Sequence, residues 1–297
     1  MGLPNFIGIG AERSGTTWVY RVLREHPEIF VPYIKEVRYF DLNFDEDLAW
    51  YETWFDAENE KVIGEISPQY LHDPHVPARM GNALPNAKLI VVLRDPIDRA
   101  YSEYWRHMHK QIENLSSVSP YDFAAKLEED PVYVQKGLYA EQLGRFLEIF
   151  PRKNFHIILY DDIVCAPHEV VRDLYAFLGV RAGFTPSVLT RRVNEAKSMK
   201  NLRLFRLLRR LVRLMEKMGL GSVVRWIKQR GGQDAVLRRL RSSYEYPPLP
   251  NDIRARLQSI FASDIDRLEK LTGYDLSLWK PDRANDDNQH SPIGLSD

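Results

Sequence analysis

Between Gly10 and Thr17 the chain reads G-A-E-R-S-G-T-T, a glycine-to-glycine loop closed by two threonines. It follows a short apolar stretch, Phe6 to Ile9, and leads into a helical pattern. Glycines in that setting let backbone N–H groups converge on an anion at a helix start, where the dipole also favours negative charge. A loop built for nucleoside triphosphates carries a lysine at the position of Thr16 to reach the outer phosphates. Here the cation is Arg13, inside the loop, and Thr16 and Thr17 add hydroxyl donors. These residues suit phosphate or sulfate without the lysine and Mg²⁺ arrangement. Read alone, the same stretch is equally a Gly-Thr turn that caps a helix.

Three further stretches carry chemistry: KEVRYFD at Lys35–Asp41, EISPQY at Glu65–Tyr70 and LRDPIDRAYSEY at Leu93–Tyr104. Together with RSGTTW at Arg13–Trp18, and in this order, they resemble the sulfotransferases that use 3′-phosphoadenosine-5′-phosphosulfate (PAPS) as sulfuryl donor. The chain is most similar to the heparan sulfate sulfotransferases and their bacterial relatives. The likeness runs from Pro4 to Leu178, with a weaker echo over Pro247–Trp279. It implies transfer of a sulfuryl group to a hydroxyl or amine of a saccharide, glycolipid or small natural product, leaving 3′,5′-adenosine bisphosphate, with no metal.

Residue by residue, the resemblance places Arg13, Ser14, Gly15, Thr16 and Thr17 around the 5′-phosphosulfate. Trp18 matches a tryptophan that stacks on adenine, or is a core aromatic of the first helical turn. Arg94 and Ser102 match the pair that binds the 3′-phosphate; the other reading of Arg94 is an ion pair with Asp95 or Asp98. Glu36 matches the general base, made more basic by apolar neighbours such as Tyr39 and Phe40, or is a surface carboxylate paired with Lys35 or Arg38. Asp41 is a second carboxylate for the acceptor side, and His72 is an alternative base. Lys197, within Arg191–Lys200, stands where the family has a late cofactor loop, or is a solvated lead-in to the next helix. One departure is clear: the family's lysine after the glutamate of E-K-[ST]-P is Ile66 here. Arg13 and Arg38 are the candidates to replace its charge.

These residues need a scaffold. Pro4–Gly10, Val62–Ile66, Lys88–Leu93 and Phe155–Leu159 read as strands, the third a continuous β-branched run suited to burial on both faces. Helical patterns cover Thr16–Glu25, Asp95–Lys110, Tyr139–Phe150, Val170–Leu178 and Ile253–Leu271, the fourth stopped by Gly179. Strands alternating with helices predict an α/β fold with a P-loop-like parallel sheet flanked by helices. Residues 1–280 form one domain in this reading, and the polar stretch 281–297 a frayed tail.

The 297 residues, 44% hydrophobic and 11% aromatic, exclude a disordered or fibrous chain. A single cysteine, Cys165, excludes an intrachain disulfide and a cysteine-built metal site. Formal charge is zero overall, yet Arg191 to Arg241 holds sixteen Lys and Arg against Glu195, Glu216 and Asp234, a local excess of +13. An amphipathic basic helix from Leu202 to Met218 heads a basic helical insertion over 191–245. That insertion is either a lid favouring an anionic or lipid-linked acceptor, with at most peripheral membrane contact, or a solvated surface. Without a leader pattern or an apolar run of spanning length, the expectation is a bacterial cytoplasmic enzyme that binds no nucleic acid. Two other readings compete: a kinase-like phosphotransferase, which the absent lysine opposes, and a non-catalytic nucleotide-binding protein.

Overall fold

In the computed structural model of the protein, residues 2–111, 119, 121–190, 197–199, 241–243 and 246–280 are described. Five parallel strands form the central sheet: β1 (Phe6–Gly10), β2 (Ile29–Phe30), β3 (Val62–Ile66), β4 (Lys88–Leu93) and β5 (Phe155–Leu159), in the order β2-β3-β1-β4-β5. Phe6 lies opposite Gly64 on one side and Lys88 on the other, and Leu89 opposite Phe155. The four predicted strands are present, β1 beginning two residues late. The two-residue β2 was too short to register as a pattern.

Successive side chains of β4 serve opposite faces of the sheet. Leu89, Val91 and Leu93 join one buried cluster with Ile7, Ile9 and Ile157, while Ile90 and Val92 join the other with Phe6 and Ile158. Helices α4 (Pro96–Gln111), α7 (Tyr139–Leu147) and α10 (Asn251–Thr272) cover the first face. Helices α1 (Thr16–Glu25) and α9 (Pro167–Leu178) cover the second. The remaining helices are short: α2 (Leu48–Glu52), α3 (Val76–Ala83), α5 (Asp122–Glu129), α6 (Val132–Gln135) and α8 (Tyr160–Cys165). The return of the core pattern after the basic segment is real, since Ile253, Leu257, Phe261, Ile265 and Leu268 of α10 are all buried.

The basic helix over 202–218 and the tail over 281–297 lie outside the described residues. So does nearly all of the 191–245 insertion, whose described parts are β6 (Lys197–Met199) and β7 (Arg241–Ser243), an antiparallel pair. Lys197 is opposite Ser243 in that pair. No helix among the described residues is long and apolar enough to cross a membrane.

Topology fixes where a site can form. From β1 the chain goes outward to β2 and β3 on one side, then returns to β4 on the other. Such a reversal opens a crevice beyond the carboxyl ends of the central strands. The segments after β1, β2, β3 and β4, which carry the four motifs, follow the carboxyl ends of their strands, as does α8 after β5.

Candidate active site

The loop after β1 is held by its own backbone. Ala11 N–H donates to Val92 O at 2.7 Å, and Leu71 N–H to Ile9 O at 2.8 Å, so the turn after β3 lies against it. A Cβ at Gly10 would stand 2.5 Å from Leu71 Cβ, which is why the close approach requires glycine. Gly15 has φ 98°, a left-handed conformation, and caps α1 with its carbonyl rather than a side chain. The backbone N–H groups of Glu12 to Thr17 make no well-formed hydrogen bond to any described residue. Ser14 is fully buried and its hydroxyl lacks a well-formed partner, with the buried Tyr139 hydroxyl as neighbour. The first N–H groups of a helix have no intrahelical partner, so open donors in the loop and at the start of α1 suit an anion.

Cations converge on the same loop. Arg13, held at φ 67°, donates to Ser102 Oγ from Nε at 3.2 Å and from Nη2 at 2.9 Å. Arg94 reaches Arg13 O at 3.4 Å and lies over the Tyr160 ring, 4.7 Å from its centroid. Arg13, Arg94 and Ser102 are thus brought together, although Ser102 serves Arg13 directly. Arg94 does not pair with its acidic neighbours. Asp95 instead caps α4 through Ile97 N–H at 2.8 Å, and Asp98 bonds Arg254 at 2.7 Å. Burial and the mutual effect of Arg106 and Arg94 lower the pKa of Arg13.

Across the crevice Glu36 receives Lys35 Nζ at 2.5 Å and Gln69 Nε2 at 2.9 Å. Burial pushes its carboxyl up, but the Lys35 charge and the bonds from Lys35 and Gln69 outweigh that and hold it below the ordinary range. The expected gain in basicity from Tyr39 and Phe40 is therefore absent. Both rings turn into the core, Tyr39 stacked on Tyr51 at 4.4 Å and Phe40 edge-on to Tyr70. Glu36 and Arg38 also have positive φ, 73° and 58°, conformations that bulky residues seldom adopt unless their surroundings impose them.

What imposes them is a residue to which the sequence analysis gave no role. Glu65, 1% exposed, accepts from Val37 N–H at 3.1 Å, Ser67 Oγ at 2.6 Å, and the Tyr51 and Tyr70 hydroxyls at 2.8 Å each. Val37 sits between the two strained residues, and Arg38 N–H is held by Ser67 Oγ at 3.2 Å. The signal was a carboxylate inside the otherwise apolar strand VIGEI. A second network was also missed. Lys136 bridges Glu12 of the loop at 2.5 Å and Glu103 at 2.9 Å, and Glu103 in turn pairs with the fully buried Arg99 at 2.5 Å. Arg99 and Glu103 lie four apart on α4, but Glu12 and Lys136 come from segments too distant in the chain for spacing to reveal them.

Three of the expected residues have other engagements in the structure. Trp18 is 4% exposed and packed in the cluster on the α1 face of the sheet, so it is a core aromatic and not a platform for adenine. Asp41 receives Arg38 on Oδ2, at 2.9 Å from Nε and 2.5 Å from Nη2, with its side chain only 5% exposed, while its Oδ1 has no partner among the described residues. His72 lines a small pocket with Ala11, Glu12, Pro68, Leu71, Lys136 and Gln142. Burial and the Lys136 and Arg145 charges lower its pKa. The backbone of Lys197 is in β6; its side chain lies outside the described residues. Among those residues no group of three His, Cys, Asp or Glu could hold a metal.

A parallel sheet, an open-donor loop at a helix start and a strand-end arginine define a P-loop-like α/β protein built to hold an oxyanion. The sulfotransferase domain family model matches residues 3–229, and the chain belongs to that family. The crystal structure of a sulfotransferase from Alicyclobacillus acidocaldarius is similar, with 30% identity and a TM-score of 0.67 over 94% of this chain and 99% of that one. The membrane-associated sulfotransferase kil1 of Dictyostelium discoideum is 28% identical over 60% of this chain and 56% of its own length. Heparan sulfate glucosamine 3-O-sulfotransferase 3A1 of Mus musculus is 31% identical over 60% of this chain and 46% of its own. The chain thus spans about half the length of these two relatives.

Proposed function

We propose that the protein is a PAPS-dependent sulfotransferase acting on a hydroxyl or amine of a glycan, glycolipid or small natural product. The observation that carries this is the row of open N–H donors from Glu12 to Thr17, flanked by Arg13 and Arg94. It fits a donor with anionic groups at two places, the loop holding the phosphosulfate and Arg94 with Ser102 the 3′-phosphate. The adenine has to find a face other than Trp18. When bound, the donor supplies a sulfuryl group on a phosphate leaving group. Arg13 and the loop N–H groups hold oxygens fixed before charge develops on them, which is where electrostatic stabilisation is largest. Glu36, ionised beside Lys35, takes the acceptor's proton. The lowered pKa makes Glu36 a weaker base, yet keeps it unprotonated across the neutral range.

Thr16 in place of lysine, and Leu93–Arg94 in place of an acidic strand end, oppose the kinase-like reading. Titration calorimetry with 3′,5′-adenosine bisphosphate and with Mg-ATP, followed by transfer of labelled sulfate from PAPS to a panel of desulfated glycans, amines and phenols, tests the reading. Binding of the bisphosphate and label in at least one acceptor are expected. Binding of Mg-ATP alone, or of neither nucleotide, would refute it.

A further inference from the structure

The cations that face the crevice are nearly all committed. Arg13 is bonded to Ser102, Arg38 to Asp41, Lys35 to Glu36 and Lys136 to Glu12 and Glu103. Position 66, at the end of β3, holds an isoleucine that is 2% exposed and packed over Gly8, so it brings no charge. Arg106 differs. Its guanidinium has no hydrogen bond or ion pair with any described residue, although the residue is half-buried.

Its position follows from helix geometry. Arg106 lies one turn beyond Ser102 on α4, on the face that Ser102 presents to Arg13, because residues four apart stack on one side of a helix. His109, one turn further along that face, also feels the Arg13 charge. From this wall the charge of Arg106 acts on Arg13 on one side of the crevice and on both Lys35 and Glu36 on the other. A cation with no partner among the described residues therefore stands one helical turn from the Ser102–Arg13 contact, and its charge reaches both Arg13 and the Lys35–Glu36 pair.

We propose that Arg106 is a catalytic residue whose guanidinium meets the sulfuryl group in transit between the Arg13 loop and Glu36. The inference rests on the function proposed above. In that reaction a bond forms from the acceptor oxygen or nitrogen to sulfur, and the sulfur–oxygen bond to phosphate breaks. The electron pair leaves on the phosphate oxygen and the acceptor's proton goes to Glu36. A planar guanidinium holds two of the sulfuryl oxygens at once, and it stays charged whatever Glu36 does. With position 66 apolar, Arg106 supplies the positive charge between base and leaving group.

The test compares two ligands that differ only in the sulfuryl group, PAPS and 3′,5′-adenosine bisphosphate, by calorimetry on the parent, Arg106→Gln and Arg106→Lys. Arg106→Gln is expected to bind the bisphosphate within about twofold of the parent and PAPS about tenfold more weakly, in line with loss of one charge-assisted contact. Arg106→Lys is expected to recover part of the difference. Transfer of labelled sulfate to an accepted substrate should fall by about 10²–10³ in kcat in Arg106→Gln, with acceptor KM little changed. An unchanged ratio of the two affinities in Arg106→Gln overturns the proposal while leaving the function intact. So does equal loss of both ligands, or a raised acceptor KM at parental kcat. A parent protein that binds neither ligand overturns the function and this inference with it.

Discussion

Glu65 is the residue whose removal should reach furthest. It is sealed from water, and its two oxygens satisfy four donors: Tyr51 and Tyr70 on Oε1, and Val37 N–H and Ser67 on Oε2. In Glu65→Ala all four lose their acceptor inside the core. At about 1 kcal/mol or more for each orphaned buried donor, the variant should lose at least about 4 kcal/mol, a large part of the ~5–15 kcal/mol of a typical domain. Glu65→Gln is the finer probe. Its carbonyl oxygen can keep Val37 and Ser67, and its amide can donate to the Tyr51 hydroxyl, which is free to turn. Tyr70 cannot turn at no cost, because its oxygen already accepts Phe40 N–H at 3.3 Å while its proton points to Glu65. One orphan then remains, so Glu65→Gln should cost about 1–3 kcal/mol. Urea unfolding followed by circular dichroism reads both values, with the slope m checked for constancy. Since Val37 N–H anchors the turn between Glu36 and Arg38, Glu65→Gln should also slow transfer more than it weakens donor binding. A Glu65→Ala variant within 1 kcal/mol of the parent would refute the account, as would Glu65→Gln matching the parent in both stability and turnover.

Arg94→Ala should weaken 3′,5′-adenosine bisphosphate by about ten- to a hundredfold through loss of a charge-assisted contact, and unchanged calorimetric affinity would remove the assignment. Glu36→Gln should keep that affinity while transfer falls by about 10²–10⁴, the usual worth of a general base. Lys35→Met removes the charge that holds Glu36 low, so the acid limb of kcat/KM against pH should move to higher pH; a limb that stays in place would place the base elsewhere. Asp95 has its pKa pushed up to about 6 by burial and the Asp98 charge. Its folded value lies above the unfolded one, so the carboxylate form costs stability, and that cost grows as pH rises from about 4 to about 6. Asp95→Asn retains the cap on α4 and should flatten stability against pH in that window, as read by thermal unfolding from pH 4 to pH 7.

The sequence by itself determined the sheet and the position of the glycine loop after β1, because both are written in local patterns. Lys88–Leu93 is apolar at every residue after the first, as a strand covered on both faces must be, and the Gly10 and Gly15 backbone requirements appear as glycines at fixed spacing. Alternation of strand and helix then left few topologies, and all of them bring the strand ends to one crevice. The motif stretches also carry Arg13, Arg94 and Ser102, which the structure brings together. Side-chain pairing was another matter. Whether Trp18 faced a ligand or the core depended on how α1 rolls against the sheet, which its 3.6-residue period leaves open between neighbouring positions. Nor does spacing show that Asp41 pairs with Arg38 or that His72 lines a pocket with Glu12 and Lys136. Glu65 and Lys136 matter through partners brought from distant segments, Val37 and Tyr51 to Glu65 and Glu12 to Lys136. Such partnerships follow from the packing of whole elements, and burial decides which charges are spent on structure and which stay available for chemistry.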